Sequence, residues 1–92
     1  MFFRWSFNNL VLVKPGKMEI VGAAANQMLA DPKAAALHYV PDMDEVLHYT
    51  PMLNHNRRYS LQIQAPEKPG RYPYLCTYPG HWAVMNGIMV VE

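Results

Sequence analysis

Ten residues near the C-terminal end carry three side chains able to bind a metal: Cys76-Thr77-Tyr78-Pro79-Gly80-His81-Trp82-Ala83-Val84-Met85. A thiolate and an imidazole together select soft to borderline ions, and the thioether of Met85 adds a weaker donor that suits copper. Cys76 is the only cysteine in the chain, so it makes no internal disulfide and is a core thiol, a nucleophile or a ligand. Taken singly, each of the three has a structural reading: a core thiol on a strand, a buried methionine beside Val84, a surface histidine beside Trp82. Taken together, with Pro79-Gly80 before the histidine and a strand on each side, they read as a metal loop. Cys–His nucleophilic catalysis is the rival chemistry, but no acid or amide is placed to orient His81 and no oxyanion hole is evident.

The elements that must hold this loop are legible on either side of it. Arg71–Cys76 reads as a strand with Tyr72, Tyr74 and Cys76 on one face, and Ile88–Val91 as the strand that follows. Asn86-Gly87 marks a tight turn between loop and strand. Upstream, Leu10–Val13 is a buried strand stopped by Lys14-Pro15-Gly16. Lys17–Ala30 is rich in Met, Ala, Gln and Leu and reads as helix, and Asp31-Pro32 caps a second helical piece over Lys33–Leu37. Val46–Thr50 is a short extended segment closed by Pro51. Tyr59–Ala65 alternates strictly between apolar and polar residues, the pattern of a half-buried strand. The sum is an antiparallel sandwich with few strands and a helical insertion over about 17–37.

Composition narrows the function classes. The 92 residues make one small domain, half of them hydrophobic and 16% charged, so the chain is globular rather than disordered. A net charge of +1 with scattered basic residues gives no nucleic-acid surface. No apolar run approaches the roughly 18 residues of a membrane span. The start, with Phe2, Phe3 and Trp5, lacks the pattern of a signal peptide.

The loop CTYPGH…M closely resembles the copper loop of the cupredoxins of azurin and auracyanin type. GRYPYLC before it and NGIMVVE after it resemble that family's flanking strands, and the likeness runs from about residue 8 to residue 92. It implies an all-β, cupredoxin-like Greek-key sandwich, incomplete at the N-terminus. It implies one type 1 copper ion, with Cys76 and His81 as equatorial ligands and Met85 as the axial one. It also implies one-electron transfer without enzymatic turnover, a redox partner protein met through an apolar patch around Trp82, and a periplasmic or extracytoplasmic setting.

The family takes another histidine from a His-Asn-Leu-Val type strand. Here Phe7-Asn8-Asn9-Leu10-Val11 stands in its place: Asn9 where the supporting asparagine belongs, and Asn8 where the histidine belongs. An amide oxygen is a poor donor in a soft site. Two further readings follow: a degenerate domain that keeps the fold as a structural or interaction module, and an electron-transfer domain of a larger copper enzyme. His38, His48 and His55 read as solvated or locally bonded, and Asp42, Asp44 and Glu45 as a solvated loop. Residues 1–7 match nothing in the family. The open sheet edge calls for cover from that apolar start, an upstream domain or a second copy.

Overall fold

The computed structural model describes residues 7–54 and 59–92. His55 and the apolar start through Trp5 lie outside the described residues. Among the described residues six strands, one α-helix and a short 3₁₀ helix follow in order: β1 (Phe7–Asn8), β2 (Val11–Val13), α1 (Met18–Gln27) continued by the 3₁₀ helix Met28–Ala30, β3 (Val46–Tyr49), β4 (Leu53–Asn54), β5 (Gly70–Leu75) and β6 (Asn86–Val91). Four of them form an antiparallel sheet in the order β3-β2-β5-β6, while β1 and β4 pair separately over two residues. The β2–β5 neighbours are far apart in sequence, the long return that a Greek key makes.

β2 lies inside the sheet, and all three of its residues are buried, as a continuous apolar run predicts for a strand covered on both faces. Val11 and Val13 point into a core with Val21, Val40 and Leu75, against which Met18, Met43, Val46 and Trp82 pack. The helix reaches that core through one stripe, Met18, Val21, Gly22 and Ala25, at the three- and four-residue spacing of a helical face. A β-turn launches it. Pro15 supplies the fixed φ, Gly16 takes φ 76°, and Lys17 N–H donates to the Lys14 carbonyl at 3.1 Å.

Three sequence expectations change. Residues 33–37 form successive turns rather than a regular helix, although Asp31 Oδ1 does accept the Lys33 N–H at 2.8 Å. Tyr59–Ala65 joins no hydrogen-bonded ladder among the described residues. Its alternation survives at Leu61 and Ile63, which are more covered than their polar neighbours, but without a partner strand alternation alone makes no sheet. Asn86-Gly87 is not a turn: both residues open β6, opposite Leu75 and Tyr74. The glycine is needed there because the Tyr74 ring lies across it, in the space a Cβ would take.

Candidate metal centre

β5 ends at Leu75, and Cys76 follows with 2% of its surface exposed. Its N–H donates to the Met85 carbonyl at 2.9 Å, extending the β5–β6 ladder by one rung beyond the Leu75–Asn86 pair. The loop therefore closes on two of its own candidate ligands. Within it, Tyr78-Pro79-Gly80-His81 is a second Pro-Gly turn, with Gly80 at φ 86° and His81 N–H donating to the Tyr78 carbonyl at 2.9 Å. The His81 carbonyl then accepts the N–H groups of Val84 (3.1 Å) and Met85 (2.8 Å), which makes one helical turn and places Met85 four residues beyond the histidine.

These turns bring His81 Nδ1 to 3.7 Å from Cys76 Sγ. A first-row ion about 2.3 Å from sulfur and about 2.0–2.1 Å from nitrogen, at tetrahedral to trigonal angles, separates the two donors by roughly 3.6–3.8 Å. The pair thus fits a shared ion. Met85 and Asn8 both line the same cleft as Cys76. Among the described residues no three of His, Cys, Asp and Glu gather as a metal group. Burial holds the His81 imidazolium below the usual histidine value of 6.5, which favours the neutral ring that a metal requires.

The other described histidines stand apart. His38 Nδ1 accepts the Met52 N–H at 3.1 Å, and His48 sits in β3 opposite Leu12. Asp42 and Asp44 are exposed in the loop before β3.

Asn9 grips the loop at its cysteine end. Its Oδ1 accepts the Thr77 N–H at 2.8 Å, while its Nδ2 donates to Thr77 Oγ1 at 2.8 Å and to the His38 carbonyl at 3.2 Å. Asn9 and Thr77 are both buried, Thr77 completely. One amide therefore joins three separated parts of the chain, and it leaves its neighbour Asn8 at the edge of the cleft.

Several contributors had weaker sequence signals or none. Asn26 of α1 accepts the Gly80 N–H through Oδ1 at 2.9 Å, and Asn86 Nδ2 donates to the carbonyls of Trp82 (2.8 Å) and Ala83 (3.4 Å). The Tyr78 ring stands 4.7 Å from that of His81 and 5.1 Å, edge-on, from that of Tyr39. His38 and Tyr39 both have positive φ, 55° and 57°, an uncommon backbone for such residues that nothing in their types announces. Trp82 is half-buried, with its indole lying on Gly22 of α1. The exposed apolar side chain on the loop is Val84, at 71%. An isolated glycine in a helical stretch was the available sign of that close approach.

Gly22→Ala puts a Cβ into the indole ring and forces Trp82 off the helix, although alanine is the better helix former. The cost of overpacking is about 1–3 kcal/mol. The expected result is a lower melting temperature in the metal-free chain with a changed Trp fluorescence maximum; a rise in melting temperature would contradict the packing. Acidification has a signed effect too. The folded chain binds its His81 proton less readily than the unfolded chain does, so stability falls as pH drops through the usual histidine range. Melts of the metal-free chain should show this slope, and the His81→Gln variant should show a shallower one.

No family model matches the chain. Auracyanin-A of Chloroflexus aurantiacus is 35% identical over 86 residues, which cover 92% of this chain and 51% of auracyanin-A. The chain therefore spans about half the length of that relative. The solved structure of auracyanin A, described as a "blue" copper protein, superposes with a TM-score of 0.78 at 33% identity, covering 94% of this chain and 68% of the other. Dithionite-reduced auracyanin from Roseiflexus castenholzii gives 0.77 at 30% identity, covering 98% and 69%.

Proposed function

The chain belongs to the cupredoxins, the blue copper proteins that include auracyanin and azurin, and from that premise we propose that it is a one-electron carrier holding a single copper ion through Cys76, His81 and Met85. The observation that carries the proposal is the 3.7 Å approach of Cys76 Sγ to His81 Nδ1 on a loop fixed from several sides. When bound, copper supplies reversible exchange of one electron. The chain's own residues keep that exchange cheap in reorganisation. The β5–β6 ladder fixes both ends of the loop, Asn9 holds Thr77, and Asn26, Asn86 and Gly22 hold its middle. Such a frame moves little between oxidation states, and the hydrogen bonds from Asn9, Asn26 and Asn86 keep the loop's donors aimed.

In this reading the chain makes and breaks no substrate bonds, and its partner is another redox protein, met outside the cytoplasm. Among the described residues no helix is long and apolar enough to cross a membrane. The chain is read as one cupredoxin domain.

The test is Cu(II) titration of the full chain followed by visible absorption. An intense thiolate-to-copper band with one ion per chain is expected. No band, with Cys76 still free to react with a thiol reagent, sinks the proposal. Asn8 favours a second reading, a domain that keeps the fold as an interaction module without tight copper binding. Under it, the native chain remains colourless under every ligand condition.

A further inference from the structure

We propose that Tyr39 is a positioning residue for His81: from a left-handed corner of the chain it holds the Tyr78 ring against the imidazole and keeps that ring turned towards Cys76. This deepens the copper reading above, in which His81 is a ligand. The starting observation is backbone strain. His38 and Tyr39 stand side by side at φ 55° and 57°, a conformation that is costly for residues with a Cβ and persists only where the surroundings over-determine it. Four bonds among the described residues do so. His38 N–H donates to the Ala35 carbonyl at 3.1 Å, and Tyr39 N–H to the Ala34 carbonyl at 3.0 Å. The His38 carbonyl accepts from Asn9 Nδ2 at 3.2 Å, and His38 Nδ1 accepts the Met52 N–H at 3.1 Å.

What the strained corner delivers is an aromatic ring. Tyr39 meets Tyr78 edge-on, with centroids 5.1 Å apart and planes at 64°, and Tyr78 meets His81 at 4.7 Å and 50°. Both separations lie where aromatic pairs attract beyond the area they bury. The Asn9 amide that holds His38 also holds Thr77. Residues 38–39 and 77–78 are therefore tied twice, by that amide on one side and by the two tyrosine rings on the other. The backbone of His81 is fixed by its own turn, but a turn does not stop an imidazole rotating about its side-chain bonds. A ring lying on it, backed by a second ring, restricts that rotation and leaves Nδ1 3.7 Å from Cys76 Sγ.

Tyr39→Gly separates positioning from folding. Glycine adopts the left-handed backbone freely, so the metal-free melt should stay near the native midpoint although the ring is gone. Tyr39→Asn, which also tolerates that backbone, is a second such variant, and Tyr39→Phe keeps the ring. Nuclear magnetic resonance of the metal-free chain reads the imidazole directly, through the ring-current shift from Tyr78 and the Overhauser contact with the Cys76 Hβ protons. The Gly and Asn variants should lose most of both signals, and the Phe variant should keep them. In a Tyr78→Leu background, Tyr39→Gly should change His81 no further, because Tyr39 acts through Tyr78. Loaded with Cu(II), the Gly variant should bind about 10-fold more weakly than the native chain, and the Phe variant equally well.

A folded Tyr39→Gly whose His81 shifts and Cys76 contact match the native chain overturns the proposal. So does a Tyr39→Phe variant that loses them to the same degree. A native chain that takes up no copper removes the copper reading alone, since the resonances of the metal-free chain still decide whether Tyr39 positions His81.

Discussion

Cys76→Ser is expected to remove the visible thiolate-to-copper band completely and to weaken copper binding by more than the roughly 10–100-fold that loss of a supporting residue costs. The thiolate is the softest donor of the set, and it is also the source of the charge-transfer absorption. A serine oxygen is harder and binds a soft ion poorly. The substitution is nearly isosteric, and the position is 2% exposed, so the fold should survive. An unpartnered hydroxyl there costs about 1–3 kcal/mol, which a melt of the metal-free variant would register separately from binding. Met85→Leu is the contrast: it removes the weakest donor and should leave a coloured, more weakly bound centre. A band that persisted in Cys76→Ser would remove Cys76 from the ligand set.

Asn9→Ala should produce the largest loss of stability among single changes around the loop. It deletes three hydrogen bonds at once, to the Thr77 N–H, to Thr77 Oγ1 and to the His38 carbonyl. The Thr77 groups are fully buried, so water cannot replace the lost partner at little cost. Leaving the backbone N–H and hydroxyl unsatisfied costs about 2–4 kcal/mol. For a domain of this size each kcal/mol moves the midpoint by about 4–8 °C, so a fall of roughly 8–30 °C is expected in the metal-free chain. Thr77→Val removes only the hydroxyl and should cost about 1 kcal/mol. Because the two residues touch, the double variant should cost less than the sum of the singles. Additive losses would show that the amide and the hydroxyl act independently.

The parts of the site that could be read from the sequence are those whose chemistry is local. Pro79-Gly80 and Pro15-Gly16 each specify a turn through a fixed φ and a left-handed glycine, and both turns form. The buried β2 follows from its continuous apolar run and the existence of the helix from its composition, but the face that helix buries, Val21, Gly22 and Ala25, leaves the apolar Ile20 and Leu29 exposed. The Cys–His–Met spacing and the supporting place of Asn9 were legible through resemblance.

Long-range consequences were less so. Alternation in Tyr59–Ala65 describes a strand's faces but says nothing about who pairs with it. Asn86-Gly87 has the composition of a turn, yet its glycine answers to the ring of Tyr74 across the ladder. The docking of Trp82 on Gly22 joins residues sixty positions apart, and no local pattern encodes that distance. His38 and Tyr39 adopt left-handed backbone because their surroundings demand it: the His38 carbonyl meets Asn9 and its ring meets Met52.

The rung between Cys76 and Met85 has a bearing on how such a chain can diversify. It makes the segment between them a closed appendage, and lengthening a closed loop costs only about 0.6 kcal/mol per doubling. New lengths and new residues can be tried there without shifting the strands that aim the cysteine. The freedom has a boundary, since Gly80 and Trp82 are read by Asn26 and Gly22 on the helix. A descendant that rewrites the appendage must rewrite one face of that helix with it, so the two segments are inherited as a single unit of variation.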